Sequence, residues 1–164
     1  MHRIAAGLLV LILAACAAKP PATPGLRLAG APIWSAAAFQ AGAAAGTWRQ
    51  VAGLQAAGAG CRAGAVEITP EPQGLRLAGS LCLAGRAEPL SGTAPIVGPG
   101  RLRVGDEDWW VLWVDSGYRT MVIGTPSGRF GLVLDRGEIP ADRLSAAREI
   151  LDFNGYATQL LQAF

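Results

Sequence analysis

Val66-Glu67-Ile68-Thr69-Pro70-Glu71-Pro72-Gln73-Gly74-Leu75-Arg76-Leu77 holds two alternating runs around a proline-rich turn. Apolar residues at 66, 68, 75 and 77 are separated by Glu67, Thr69 and Arg76, the period of a half-buried strand. Read as a four-residue turn, Pro70-Glu71-Pro72-Gln73 sets Thr69 opposite Gly74, Ile68 opposite Leu75, Glu67 opposite Arg76 and Val66 opposite Leu77. The apolar pairs then share one face and the charged pair takes the other. Carried outward, this register places Cys61 opposite Cys82 and predicts a disulfide on the outer face in an oxidising compartment. A metal at these two thiols would need two further ligands, which the surrounding sequence does not offer.

The same pattern continues on both sides. Short apolar segments alternate with turn signals, giving candidate strands at 46–54, 61–69, 74–83, 88–97, 101–105, 109–115, 118–124 and 129–135. One helix follows, with Pro140 at its start, Asp142 in its first turn and Asn154-Gly155 as its stop. Leu144, Ala147, Ile150 and Leu151 form an apolar face that predicts packing against the outside of the sheet. A shorter helix is expected in the alanine-rich stretch 35–45. The fold class is therefore all-β: an eight-stranded antiparallel up-and-down barrel with one C-terminal helix outside it. Such a barrel is just wide enough to hold one small ligand or to be filled by its own side chains.

With 164 residues, the chain is one ordinary domain plus a targeting segment. Its only histidine is His2, ahead of the expected cleavage point, which excludes Ser-His-Asp catalysis and histidine metal sites from the mature protein. The 14 Lys and Arg, less Arg3, leave 13 against 12 Asp and Glu, so no basic field attracts nucleic acid. No glycine-rich phosphate loop, paired-carboxylate site or nucleophile elbow occurs. The expectation is a binding protein, not an enzyme, with no cofactor and no metal.

At the N-terminus, Met1-His2-Arg3 precedes an apolar run from Ile4 to Leu13. That run is shorter than the ~20 residues of a spanning helix and fits a signal-peptide core. Leu13-Ala14-Ala15-Cys16 resembles the lipobox of bacterial lipoproteins, which implies a signal peptide at 1–15 and lipidation of Cys16. Two or three acyl chains give stable anchoring. Ala17 stands where an inner-membrane retention signal carries Asp, so the resemblance implies an outer-membrane location facing the periplasm. Residues 16–32 read as the lipidated cysteine and a Pro-rich tether, reaching at most roughly 50 Å if extended. Residues 33–164 form the barrel domain.

Several motifs resemble the lipocalins, in particular lipidated bacterial ones. Gly46-Thr47-Trp48 is similar to their Gly-x-Trp opening motif, and the stretch from Trp110 through Asp115-Ser116-Gly117-Tyr118 to Thr120 resembles the second motif. Leu90-Ser91-Gly92-Thr93-Ala94 is similar to a fourth-strand segment, and Gly124 to Arg136 resembles the eighth strand with its closing arginine. Arg49 stands where many relatives carry Tyr, and Gly137-Glu138 replaces the usual Thr-Pro. A ninth strand beyond Tyr156 is expected to be short or missing. The resemblance implies that Arg136 lies beneath Trp48 at the closed end, with Gly46, Asp115 and Tyr118 in the same structural set. It places the loops 55–60, 84–87, 105–108 and 124–129 at the open mouth.

Trp48 inward implies that Gln50, Ala52 and Leu54 share its face. The inward set is expected to be Val66, Ile68, Leu75, Leu77, Leu81, Trp110, Leu112, Phe130 and Leu132. These side chains either line a ligand cavity or fill a solid core. Asp106-Glu107-Asp108 reads as a solvated loop, while Arg86 and Arg129 at the mouth either stay solvated or pair with an anionic head group. Two functions follow. One is a membrane-anchored carrier of a fatty acid or lysophospholipid; the other is an envelope interaction protein with a filled barrel and loops that contact another protein.

Overall fold

The computed structural model describes residues 25–56, 58 and 60–164. The predicted signal peptide, Cys16 and residues 17–24 lie outside the described residues. The strands are β1 (Gly46–Leu54), β2 (Ala65–Glu71), β3 (Gly74–Leu83), β4 (Arg86–Gly98), β5 (Arg101–Val104), β6 (Glu107–Val114), β7 (Thr120–Gly124) and β8 (Gly131–Asp135). Helix α1 (Ala141–Phe153) and a three-residue β9 (Leu161–Ala163) follow. Each of the first seven strands pairs antiparallel with the next, and β8 returns to β1 to close the barrel. The short β9 pairs with the end of β1, at Ala52 to Leu54, beyond the Gly46–Arg49 stretch that pairs with β2.

Two apolar layers result. The inner one includes Trp48, Val66, Ile68, Leu75, Leu77, Leu81, Trp109, Val111, Phe130, Leu132 and Leu134. The outer one lies under α1, where Ala147 and Leu151 meet Val122, Val133, Leu112, Leu54 and Tyr156. Burying a side chain such as Leu151 contributes about 1.5–3 kcal/mol. The helix stops where Gly155 takes a φ of +79° after Asn154.

The hairpin register differs from the four-residue turn. Glu71 pairs with Gly74, Pro70 with Leu75 and Ile68 with Leu77, so the turn is Pro72-Gln73 alone. The slip is two residues, and each side chain therefore keeps its face. Pro70 is tolerated in the strand because the β1–β2 ladder ends at Ile68, where its missing N–H removes no bond to β1. Cys61 and Cys82 are bridged, with Cα atoms 5.7 Å apart, but Cys61 lies in the loop before β2. The bridge thus ties a loop to the end of β3 and is not a facing strand pair.

Two bulges alter the inward set. Between Gln50 and Ala52 the β1–β8 register shifts, and Ala52 and Leu54 turn to the outer layer while Trp48 stays inside. In β6, Leu102 of β5 pairs with Trp109, which makes Trp109 and Val111 the inward residues. Trp110 and Leu112, expected inside, lie outside instead, packed in the layer under α1. A further register shift between Val111 and Trp113 leaves Trp113 outside as well.

Part of the stretch read as tether is docked. Leu28 N–H donates to Gly155 O (2.8 Å) and Ala157 N–H to Leu26 O (2.9 Å), while Arg27 Nε donates to Asn154 O (2.7 Å). Two of these contacts use the carbonyls of Asn154 and Gly155, just past the end of α1, and the third uses the carbonyl of Leu26 itself. The stretch 35–45 forms only a 3-10 turn at Ala41–Ala44.

Candidate functional site

One end of the barrel is shut. Arg136 lies 4.3 Å from the Trp48 ring centre, and its guanidinium donates to Tyr118 O (2.7 Å), Ala43 O (3.1 Å) and Ala45 O (2.7 Å). Trp48 Nε1 donates to Ala44 O (2.8 Å), so the 3-10 turn, β1 and the end of β8 are pinned at one point. Gly46 has a φ of +106°, and a Cβ there would sit 2.9 Å from Arg136 Nη1. Asp115 organises the β6–β7 turn by accepting from Arg119 N–H (2.7 Å) and Thr120 N–H (2.6 Å). Its partial burial would raise the carboxyl, but the backbone donors Thr120, Arg119 and Gly117 and the charge of Arg143 together hold it below the usual carboxylate range. Gly46, Trp48, Asp115, Tyr118 and Arg136 are thus brought together as a structural plug.

The interior is nearly full. Val66, Ile68, Leu75 and Leu77 do point inward, with Phe39, Trp109 and Met121, around a void of only about 10 Å³. That is about the space of a single water-sized sphere. Leu81, Phe130 and Leu132 belong to the same inner layer.

Space opens at the other end. A recess of about 270 Å³ has Leu83, Leu90, Val104, Trp109 and Phe130 among its walls and Arg86, Glu88, Glu107 and Arg129 at its edge. Trp109 and Phe130 meet edge to face, with ring centres 4.9 Å apart, and floor the recess above the filled interior. Arg129 Nη1 is 3.2 Å from Glu107 Oε2, and Arg86 Nε is 3.9 Å from Glu88 Oε1. Both arginine side chains are largely exposed, at 72% and 83%. The exposed Arg86–Glu88 contact is worth ~0–1 kcal/mol and leaves Arg86 available to an arriving carboxylate, whereas Arg129 is hydrogen-bonded to a largely buried Glu107. Glu107 also accepts from Ser127 Oγ (2.5 Å), and Asp108 pairs with Arg103 (2.7 Å), so the acidic stretch 106–108 is partly tied down.

The sequence places Trp109 near the mouth and Phe130 on the inward face, but it does not mark Leu90 and Val104 as walls of this recess. A signal that Trp109 faces inward was present as well. Arg101-Leu102-Arg103 marks Leu102 as the inward residue of its strand, and a two-residue turn at Gly105-Asp106 sets Leu102 opposite Trp109. Among the described residues no group of three or more His, Cys, Asp or Glu is placed to hold a metal.

No family model matches the chain, and no curated protein does. Solved structures do: apocrustacyanin A1 of lobster and apocrustacyanin C2 each superpose with a TM-score of 0.54 at 11% identity, over 74% of this chain and 76% of theirs. Crustacyanins are lipocalins. What the likeness establishes is architecture: the chain folds as a lipocalin-type barrel of eight antiparallel strands with one helix outside.

Proposed function

We propose that the protein binds a small amphiphile with an anionic head at the open end of its barrel, and that it does so tethered to a bacterial envelope membrane through acylated Cys16. The observation that carries the binding reading is the mouth recess, with an apolar floor of Trp109 and Phe130 beneath two exposed arginines. Apolar pockets with a few placed polar groups are the usual form of a small-molecule site. Binding, not catalysis, suits a chain whose only histidine is His2. The near-absence of interior space argues against a tail buried down the barrel axis.

Titration with dodecanoate tests this. Tryptophan emission is expected to shift saturably, Trp109→Phe to remove most of the shift, and Arg86→Glu with Arg129→Glu to weaken affinity about tenfold, since each exposed ion pair with the head group is worth ~0–1 kcal/mol. One specific observation favours a second reading, an envelope interaction protein with a solid barrel: the 10 Å³ interior. It predicts no saturable shift with an amphiphile of any chain length.

A further inference from the structure

Strand β4 runs from Arg86 to Gly98 and pairs with β3 from Arg86 through Pro95. On its other side, among the described residues, the ladder to β5 holds only two partner pairs, Ile96↔Leu102 and Gly98↔Arg101. Toward the mouth the two strands splay. A slot of about 280 Å³ opens there, bounded by Leu77, Leu90, Ala94, Val104 and Gly105. Its depth comes from one residue. Leu90 and Ala94 belong to the inner layer, so alternation makes position 92 an inward position too, and it is occupied by glycine. Gly92 has a φ of +145°, and a Cβ placed there would meet nothing within 4 Å. Beneath this gap lies Leu77, its partner on β3, which is also a wall of the small interior void.

The slot and the mouth recess share Pro89, Leu90 and Val104 as walls. Each alone falls short of the ~300–1,000 Å³ typical of ligand sites; a shift of the shared Leu90 and Val104 side chains would bring the two together within that range. The mouth supplies the arginines, and the slot supplies Leu77, Leu90, Ala94 and Val104, with Ser91 and Thr93 also in its lining, which suits the head and tail of a fatty carboxylate. Resting on the mouth-site reading above, we propose that the tail of a bound fatty carboxylate turns sideways into the slot between β4 and β5, over Gly92 and Leu77, and does not descend the barrel axis. The barrel then keeps its filled core and holds the ligand in its wall.

Two measurements on the acyl-free protein test the path. With ¹³C-labelled dodecanoate, nuclear Overhauser contacts from the terminal methyl are expected at Gly92, Leu77 and Gly105. Contacts at Met121 and Leu134 instead would place the tail on the axis and overturn the slot while leaving the mouth site standing. Absence of any saturable binding overturns the mouth site and the slot together. In the second measurement, affinity is expected to rise about fourfold per added methylene from hexanoate to dodecanoate. Gly92→Leu, which fills the gap, should flatten that series, weakening dodecanoate about tenfold or more and hexanoate less than about twofold. An unchanged series in folded Gly92→Leu protein would contradict the slot; should the strained position prevent folding, the Overhauser contacts decide alone.

Discussion

At the scale of single residues, the closed end depends on Arg136, which spends its donors on three carbonyls while its planar face covers a fully buried Trp48. The stacked contact is worth about 1 kcal/mol when one side of the cation faces water. A double-mutant cycle with Arg136→Ala and Trp48→Phe is expected to return coupling of about 1 kcal/mol in urea unfolding. Coupling within ~0.3–0.5 kcal/mol of zero would mean the two act independently. Tyr156 gives a second prediction. Its hydroxyl accepts from Thr125 N–H (2.6 Å) and donates to Thr125 O (2.8 Å), and burial pushes the phenol up to about 12. Because the folded value is raised above the unfolded one of ~10, this stabilisation is complete below pH ~10 and is lost as pH climbs toward 12. Roughly 2 kcal/mol should disappear across that window in denaturant titrations, and Tyr156→Phe should lack this part of the alkaline fall.

Among the elements, the disulfide joins positions 21 apart in sequence, and closing such a loop stabilises by about 3 kcal/mol in the chain-entropy model. Cys61→Ser with Cys82→Ser should lower the unfolding free energy by up to that amount, and thiol counting on unfolded, unreduced protein should find neither cysteine free. The bridge shows how far the sequence could be read. The pairing was legible from alternation, although the register was not, because Pro70 looks like a turn residue and in fact ends a strand with a free edge. A slip of two conserves faces, so Val66, Ile68, Leu75 and Leu77 were read correctly from a wrong turn. Strand β6 was harder. Trp109-Trp110-Val111-Leu112-Trp113-Val114 is apolar throughout because the core lies on one side and α1 on the other, and no alternation survives to be read. The mouth recess was legible at its charged rim, at Phe130 and at Trp109, but not at Leu90 and Val104, which become walls where the β4–β5 ladder stops short of the mouth.

For the whole molecule, two apolar layers share one sheet, and the inner one leaves almost no room. That leaves the periphery of the barrel as the place for the proposed ligand. The proposed envelope anchor is tested separately. Cys16→Ala should abolish palmitate incorporation and release the protein from membranes, with dodecanoate binding unaltered; undiminished labelling would refute the lipobox reading. The strap at Leu26 to Leu28 has a mechanical consequence. Its bonds to Ala157, Asn154 and Gly155 lie in sequence along an antiparallel contact with the end of α1. A pull at Gly25 loads them one after another, Leu26 first and Leu28 last, as a zipper opens. Because these bonds precede every barrel strand along the chain, tension applied at Gly25 is expected to part the strap before the barrel ladders.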